Sequence, residues 1–272
     1  VSFKEGKSLR ALGRIAAVAA AAGLGVAGLA APASADITIQ QYVALGDSYA
    51  SGVGAGDYLA DDGCYRSANA YASQSATALG ERLWFEACSG ARVEDVVANQ
   101  LGHLRPVNTE HVTIGVGGND AGFSSVLGAC AGTDTALCES AIANARNIIT
   151  TSLPAELDDL YTQVETKAPD ADIVVVGNPR LFAETACAGA LAITPAEQAL
   201  LNDAADLLSE TTAAVAADHG FDFADPRAAF DGHGVCSADP WILGYTGNVE
   251  SFHPNAAGQD AYTGVVLPLL DY

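Results

Sequence analysis

Tyr42-Val43-Ala44-Leu45-Gly46-Asp47-Ser48-Tyr49-Ala50-Ser51-Gly52 is a short apolar run that breaks at Gly46 and presents a serine two residues later. A buried strand ending in a small-residue turn holds a hydroxyl at the lip of a sheet. The far end of the chain carries Ser251-Phe252-His253-Pro254-Asn255-Ala256-Ala257-Gly258, a lone histidine just ahead of a helix start. A serine nucleophile needs a base of this kind.

Working outward from Tyr42–Leu45, four more apolar runs rich in β-branched residues read as strands: Arg82–Glu86, His111–Val116, Asp172–Val176 and Phe221–Phe223. Segments with helical spacing of Ala and Leu lie between them: Asn69–Leu79, Val93–Leu101, Leu137–Thr166, Pro195–Ala217 and Asn255–Leu269. Alternating strands and helices predict an α/β fold whose parallel sheet is covered on both faces, with a ligand site at the carboxyl ends of the strands. Ile173-Val174-Val175-Val176 has no polar alternation, as a strand buried on both sides requires. Pro154 is expected to kink or split the long Leu137–Thr166 segment. Two irregular insertions, Gly128–Thr135 and Leu181–Thr194, should each be tied by a cysteine.

The amino end reads as an address label. Lys4, Lys7, Arg10 and Arg14 precede an uncharged stretch from Ile15 to Ala35 that closes with Ala33-Ser34-Ala35. This is the layout of a secretory signal cleaved near Ala35; a retained membrane anchor is the alternative, since the stretch is just long enough to span. Residues 36–272 then form one domain, which ought to be exported and extracellular. No later apolar stretch approaches spanning length, so the mature chain is not expected to insert in a membrane. The leader holds four of the 12 Lys and Arg and one of the 33 acidic residues, leaving 8 against 32 and a net charge of −24. Such a surface repels phosphate backbones, which argues against nucleic-acid binding.

Six cysteines stand at Cys64, Cys88, Cys130, Cys138, Cys187 and Cys236, all beyond the leader. An even count in an exported chain argues for three disulfides, for which fifteen pairings exist. Pairing each cysteine with its neighbour in sequence gives the smallest loops and is the expectation. Zinc is the rival, but there is no C-x-x-C and the five histidines are scattered. No metal is expected.

Three blocks follow successive strands: Gly46-Asp47-Ser48, then Ala87-Cys88-Ser89-Gly90-Ala91, then Gly115-Val116-Gly117-Gly118-Asn119-Asp120. With His253 ahead of the last helix, all four gather at one edge of a parallel sheet. Here the chain resembles the SGNH hydrolases, the GDSL esterase/lipase family. Gly46-Asp47-Ser48-Tyr49 and Gly117-Gly118-Asn119-Asp120 match its motifs, while Gly90 is placed by its position after the second strand. Ser48-Tyr49-Ala50-Ser51-Gly52-Val53-Gly54 and Cys64-Tyr65-Arg66-Ser67 are similar to the secreted, disulfide-bonded lipases and esterases of actinobacteria. The resemblance implies a three-layer α/β/α, flavodoxin-like fold with a five-stranded parallel sheet. It also implies cofactor-free ester hydrolysis through an acyl-enzyme.

On that reading Ser48 attacks, His253 takes its proton, and the N–H groups of Ser48 and Gly90 with the Asn119 amide receive the oxyanion. The family pattern has Asp three residues before the histidine, where this chain has Glu250. The imidazole is oriented either by a backbone carbonyl, of Glu250 or Ser251, or by the Glu250 side chain. Asp47 and Asp120 are expected to hold loops through backbone hydrogen bonds. Trp84 is expected in the core and Trp241 is a candidate lining of the acyl pocket. His103, His111, His219 and His233 are expected at the surface or in turns. The substrate expected is a small-molecule or lipid ester and the chain a monomer. A carbohydrate deacetylase, an acyltransferase on the same scaffold and a non-catalytic export are the rivals.

Overall fold

The computed structural model describes residues 40–270. The expected leader, its expected cleavage point and the expected boundary at residue 36 lie outside them. Strands β1 (Gln41–Gly46), β2 (Arg82–Phe85), β3 (Thr109–Gly115), β4 (Asp172–Val176) and β5 (Asp222–Ala224) form one parallel sheet in the order β2-β1-β3-β4-β5. That is the flavodoxin-type order, whose switch point falls between β1 and β3.

Side chains alternate across the sheet as strand geometry demands. Val43, Leu45, Ile173 and Val175 face one layer, built from α3 (Val93–Asn99), α6 (Leu153–Lys167) and the second half of α7 (Pro195–Asp218). Tyr42, Ala44, Val174 and Val176 face the other, which includes α2 (Tyr71–Leu79) and α8 (Ala256–Leu270). Burial on both faces is why these strands read as unbroken apolar runs. Among the described residues no helix is long and apolar enough to cross a membrane.

Local chemistry sets the helix ends. α7 opens with a capping box, Thr194 Oγ1 accepting from the Glu197 N–H and Glu197 from the Thr194 N–H, with Pro195 in its first turn. Pro154 splits the long helical segment, ending α5 (Thr135–Thr151) and lying in the first turn of α6, where its missing N–H costs nothing. Two helices gave no readable signal: α1 (Ser48–Ser51) is one turn long, and α4 (Phe123–Cys130) starts from Gly122 without a side-chain cap.

Two expectations are corrected here. His111 is buried in β3, its Nδ1 2.9 Å from Glu81 Oε1, because its position in a central strand points it inward. Trp84 is only half-buried, because β2 is an edge strand; its ring stacks on His103 at 3.6 Å between centroids.

The disulfides join Cys64 to Cys88, Cys130 to Cys138 and Cys187 to Cys236. The first ties the loop after α1 to the turn after β2, the second staples α4 to α5, and the third joins two irregular segments near the sheet's carboxyl edge. Sequence separations of 49 for Cys187–Cys236 and 8 for Cys130–Cys138 differ enough to rank them. Serine substitution of the longer bridge should cost about 4 kcal/mol and of the shorter about 2.5 kcal/mol, read by urea unfolding. The opposite order would refute loop closure as the source of their stabilisation.

Candidate active site

The β1–α1 turn is built around Gly46, which has φ +136°. An added Cβ there would stand 2.1 Å from the Gly115 carbonyl oxygen, so only glycine fits. Two neighbours hold the Gly46 backbone. Gln100 accepts from the Gly46 N–H at 2.8 Å and donates to its carbonyl at 2.9 Å, and the Cys88 N–H donates to the same carbonyl. The Asp47 N–H then donates to the Gly115 carbonyl at 2.9 Å. Sequence reading missed Gln100, whose buried amide at the end of a helical run carries no motif.

Asp47 caps α1, accepting from the Tyr49 N–H at 2.9 Å. Its carboxyl is buried, and desolvation with the nearby Asp120 pushes it up to about 7. Asp120 accepts from the Val93 N–H at 3.1 Å. Both aspartates therefore hold backbone, Asp47 within its own turn and Asp120 across to the start of α3.

Ser48 opens α1, and its Oγ lies 2.7 Å from His253 Nε2 across 205 residues of chain. His253 Nδ1 is 2.9 Å from the Ser251 carbonyl oxygen. A carbonyl only accepts, so Nδ1 carries the proton and Nε2 is free to accept from the serine. Burial pushes the imidazole down to about 4, against the raising effects of the Ser251 carbonyl and the Glu250 charge. The ring packs against Tyr49 and Phe123, at centroid distances of 5.1 and 5.9 Å.

The histidine loop is bolted to the serine helix. The Tyr49 hydroxyl donates to the Phe252 carbonyl at 2.7 Å, and Gln259 joins the Tyr49 carbonyl to the Tyr71 N–H. Phe252 has φ +61°, an uncommon conformation for a side chain of its size. That turn accompanies the approach of the Ser251 carbonyl to Nδ1. The Glu250 side chain does not reach the imidazole, because the Tyr58 hydroxyl donates to its Oε1 at 2.6 Å. Its backbone carbonyl accepts from the His253 N–H at 3.2 Å.

Gly90 lies in the turn Cys88–Ala91, with φ +82°. That turn is bonded to Gly46 through Cys88 and to Asn119, whose Nδ2 donates to the Ala91 carbonyl at 2.9 Å. Ser48 and Asn119 share the mouth of a cleft lined mainly by apolar side chains, among them Phe123, Val126, Leu127, Ile149, Leu201 and Leu208. The cleft holds roughly 700 Å³ of empty space, its open mouth included. Trp241 takes no part in it: its ring stacks on His233 at 3.5 Å and meets Phe230 edge-on. The walls come from α4, α5, α7 and residues 178–181.

The GDSL-like lipase/acylhydrolase family model matches residues 44–261, which span the serine, glycine, asparagine and histidine blocks. The chain belongs to that family. Lipase 1 of Streptomyces coelicolor is 42% identical over 94% of this chain and 94% of its own. Among solved structures of the family, the extracellular lipase of Streptomyces rimosus is 42% identical, with a TM-score of 0.79 over 85% of this chain and 98% of its own. Phospholipase A1 from Streptomyces albidoflavus NA297 is likewise 42% identical, with a TM-score of 0.79 over 86% and 98%. Family membership together with lipases and a phospholipase similar over most of the chain makes the protein a carboxylic ester hydrolase.

Followed by NMR, the His253 imidazole should remain neutral as the pH drops below the ordinary midpoint of about 6.5 and should titrate only near 4. An unshifted midpoint would contradict a buried base.

Proposed function

We propose that this GDSL-family protein is an exported serine esterase or lipase that cleaves acyl esters through an acyl-enzyme on Ser48. The observation that carries the reading is the 2.7 Å bond from Ser48 Oγ to a buried, neutral His253 Nε2. Nε2 takes the serine proton as Oγ forms its bond to the ester carbonyl carbon, then returns that proton to the departing alcohol. Water repeats the cycle and releases the acid. The N–H groups of Ser48 and Gly90 and the Asn119 amide receive the oxyanion, each such donor being worth about 3 kcal/mol.

The Ser251 carbonyl fills the place of an orienting carboxylate, making the centre a Ser–His dyad with a backbone support. The acyl chain enters the apolar cleft beside Ser48, between α4, α5 and α7. Apolar walls favour chains of several carbons over acetate. Export follows from the leader's layout and accords with the extracellular S. rimosus relative.

Ser48→Ala should lower hydrolysis of p-nitrophenyl esters, from acetate to palmitate, by at least about 10⁴-fold. No turnover by the wild-type protein on any chain length would overturn the reading. Glu250→Gln should lose less than about tenfold, against about 10⁴ when a true orienting carboxylate is lost. Ala205 lines the cleft and is only partly buried. Ala205→Phe should lower kcat/KM on palmitate by about tenfold or more and leave acetate within about threefold. Equal losses on both esters would place the acyl chain elsewhere.

A further inference from the structure

The loop between α1 and α2 touches all three parts of the centre. It leaves the serine helix at Val53, passes behind His253 at Gly54, and is tied beside Gly90 by the Cys64–Cys88 bridge and the bond from the Ser89 N–H to the Cys64 carbonyl. Gly54 has φ +91°, and an added Cβ would meet the Pro254 carbonyl oxygen at 2.8 Å and His253 Cβ at 3.2 Å. The Gly54 backbone therefore packs closely against the base of the His253 side chain and the Pro254 carbonyl.

One tyrosine holds Gly54 in that place. The Tyr58 hydroxyl accepts from the Gly54 N–H at 3.0 Å and donates to Glu250 Oε1 at 2.6 Å. Glu250 in turn receives the His253 N–H on its backbone carbonyl, and its own N–H donates to Asn248 Oδ1 at 2.9 Å. Gly54 beside the His253 Cβ and Glu250 at the His253 backbone are thus joined through a single phenol. Neither side chain contacts the imidazole nitrogens, which are taken by Ser251 and Ser48.

We propose that Tyr58 and Glu250 form a positioning pair for His253, a hydrogen-bonded strut that stands in for the missing third carboxylate by fixing where the imidazole sits. The inference rests on the dyad reading above. A carboxylate bonded to Nδ1 orients the ring directly, whereas a backbone carbonyl is only as well placed as its loop. That loop includes the left-handed Phe252 and the exposed residues 245–249. The strut therefore acts on turnover more than on binding, because the acyl cleft lies on the α4–α5–α7 side and neither Tyr58 nor Glu250 lines it.

The test compares Tyr58→Phe, Glu250→Ala, Glu250→Gln and the Tyr58→Phe/Glu250→Ala double variant on p-nitrophenyl butyrate, with rates divided by active sites titrated with a fluorophosphonate. Normalising to titrated sites removes any loss due to misfolding. Tyr58→Phe and Glu250→Ala should each lower kcat by about tenfold or more with KM within about twofold. Glu250→Gln keeps an acceptor for the phenol and should stay within about threefold of wild type, a conservative rescue that simple destabilisation does not give. The double variant should fall no further than the worse single one, as members of one strut are not additive. Turnover per titrated site within about twofold of wild type in Tyr58→Phe, or losses that multiply in the double variant, would overturn the pair while leaving the dyad standing. A wild-type protein without esterase activity would instead remove the dyad reading itself.

Discussion

The approach of Gly46 to the Gly115 carbonyl, closer than any side chain allows, is the constraint on which the centre depends. It seats the ends of β1 and β3 against one another at the switch point of the sheet, and the Cys88 N–H brings in the chain after β2. Buried backbone groups at such a junction must be paired, and the Gln100 amide completes the set for Gly46. Ser48 stands two residues beyond that fixed point on a helix of one turn, so its hydroxyl takes its position from the sheet and not from a loop. Asn119 follows β3 and Gly90 follows β2, and the bond from Asn119 to the Ala91 carbonyl closes the ring of strand ends.

The histidine reaches this rim from the other end of the chain, and its neighbours set both its place and its charge. The Tyr49 hydroxyl links the residue after Ser48 to the residue before His253. In the proposed mechanism burial keeps the imidazole neutral and ready to accept a proton, but the same burial disfavours the imidazolium that attack would form. A carboxylate on Nδ1 relieves that penalty in a triad. Here a carbonyl dipole does part of that work, and the Glu250 charge contributes through space while its oxygen stays with Tyr58.

Much of this was legible in the sequence because the deciding signals are local. The apolar runs of β1 and β4, the Gly-Asp-Ser and Gly-Gly-Asn-Asp blocks and the split at Pro154 each lie within a few residues. The spacing of the cysteines anticipated all three bridges. Gln100, Tyr58 and the direction of the Glu250 side chain were not legible, since each depends on a partner between 4 and 192 residues away that only the folded chain selects. α4 was missed because it begins at a left-handed glycine with no capping side chain, and Trp241 was misplaced because its neighbour His233 offered a stacking face that composition does not reveal.

The measurement that goes most directly to the central claim is an acid quench of wild-type protein during turnover of p-nitrophenyl butyrate, followed by peptide mass mapping. The account predicts a butyryl group on the peptide containing Ser48, absent from both Ser48→Ala and His253→Ala. A butyryl group on another residue, or active turnover with no acylated peptide at all, would contradict it.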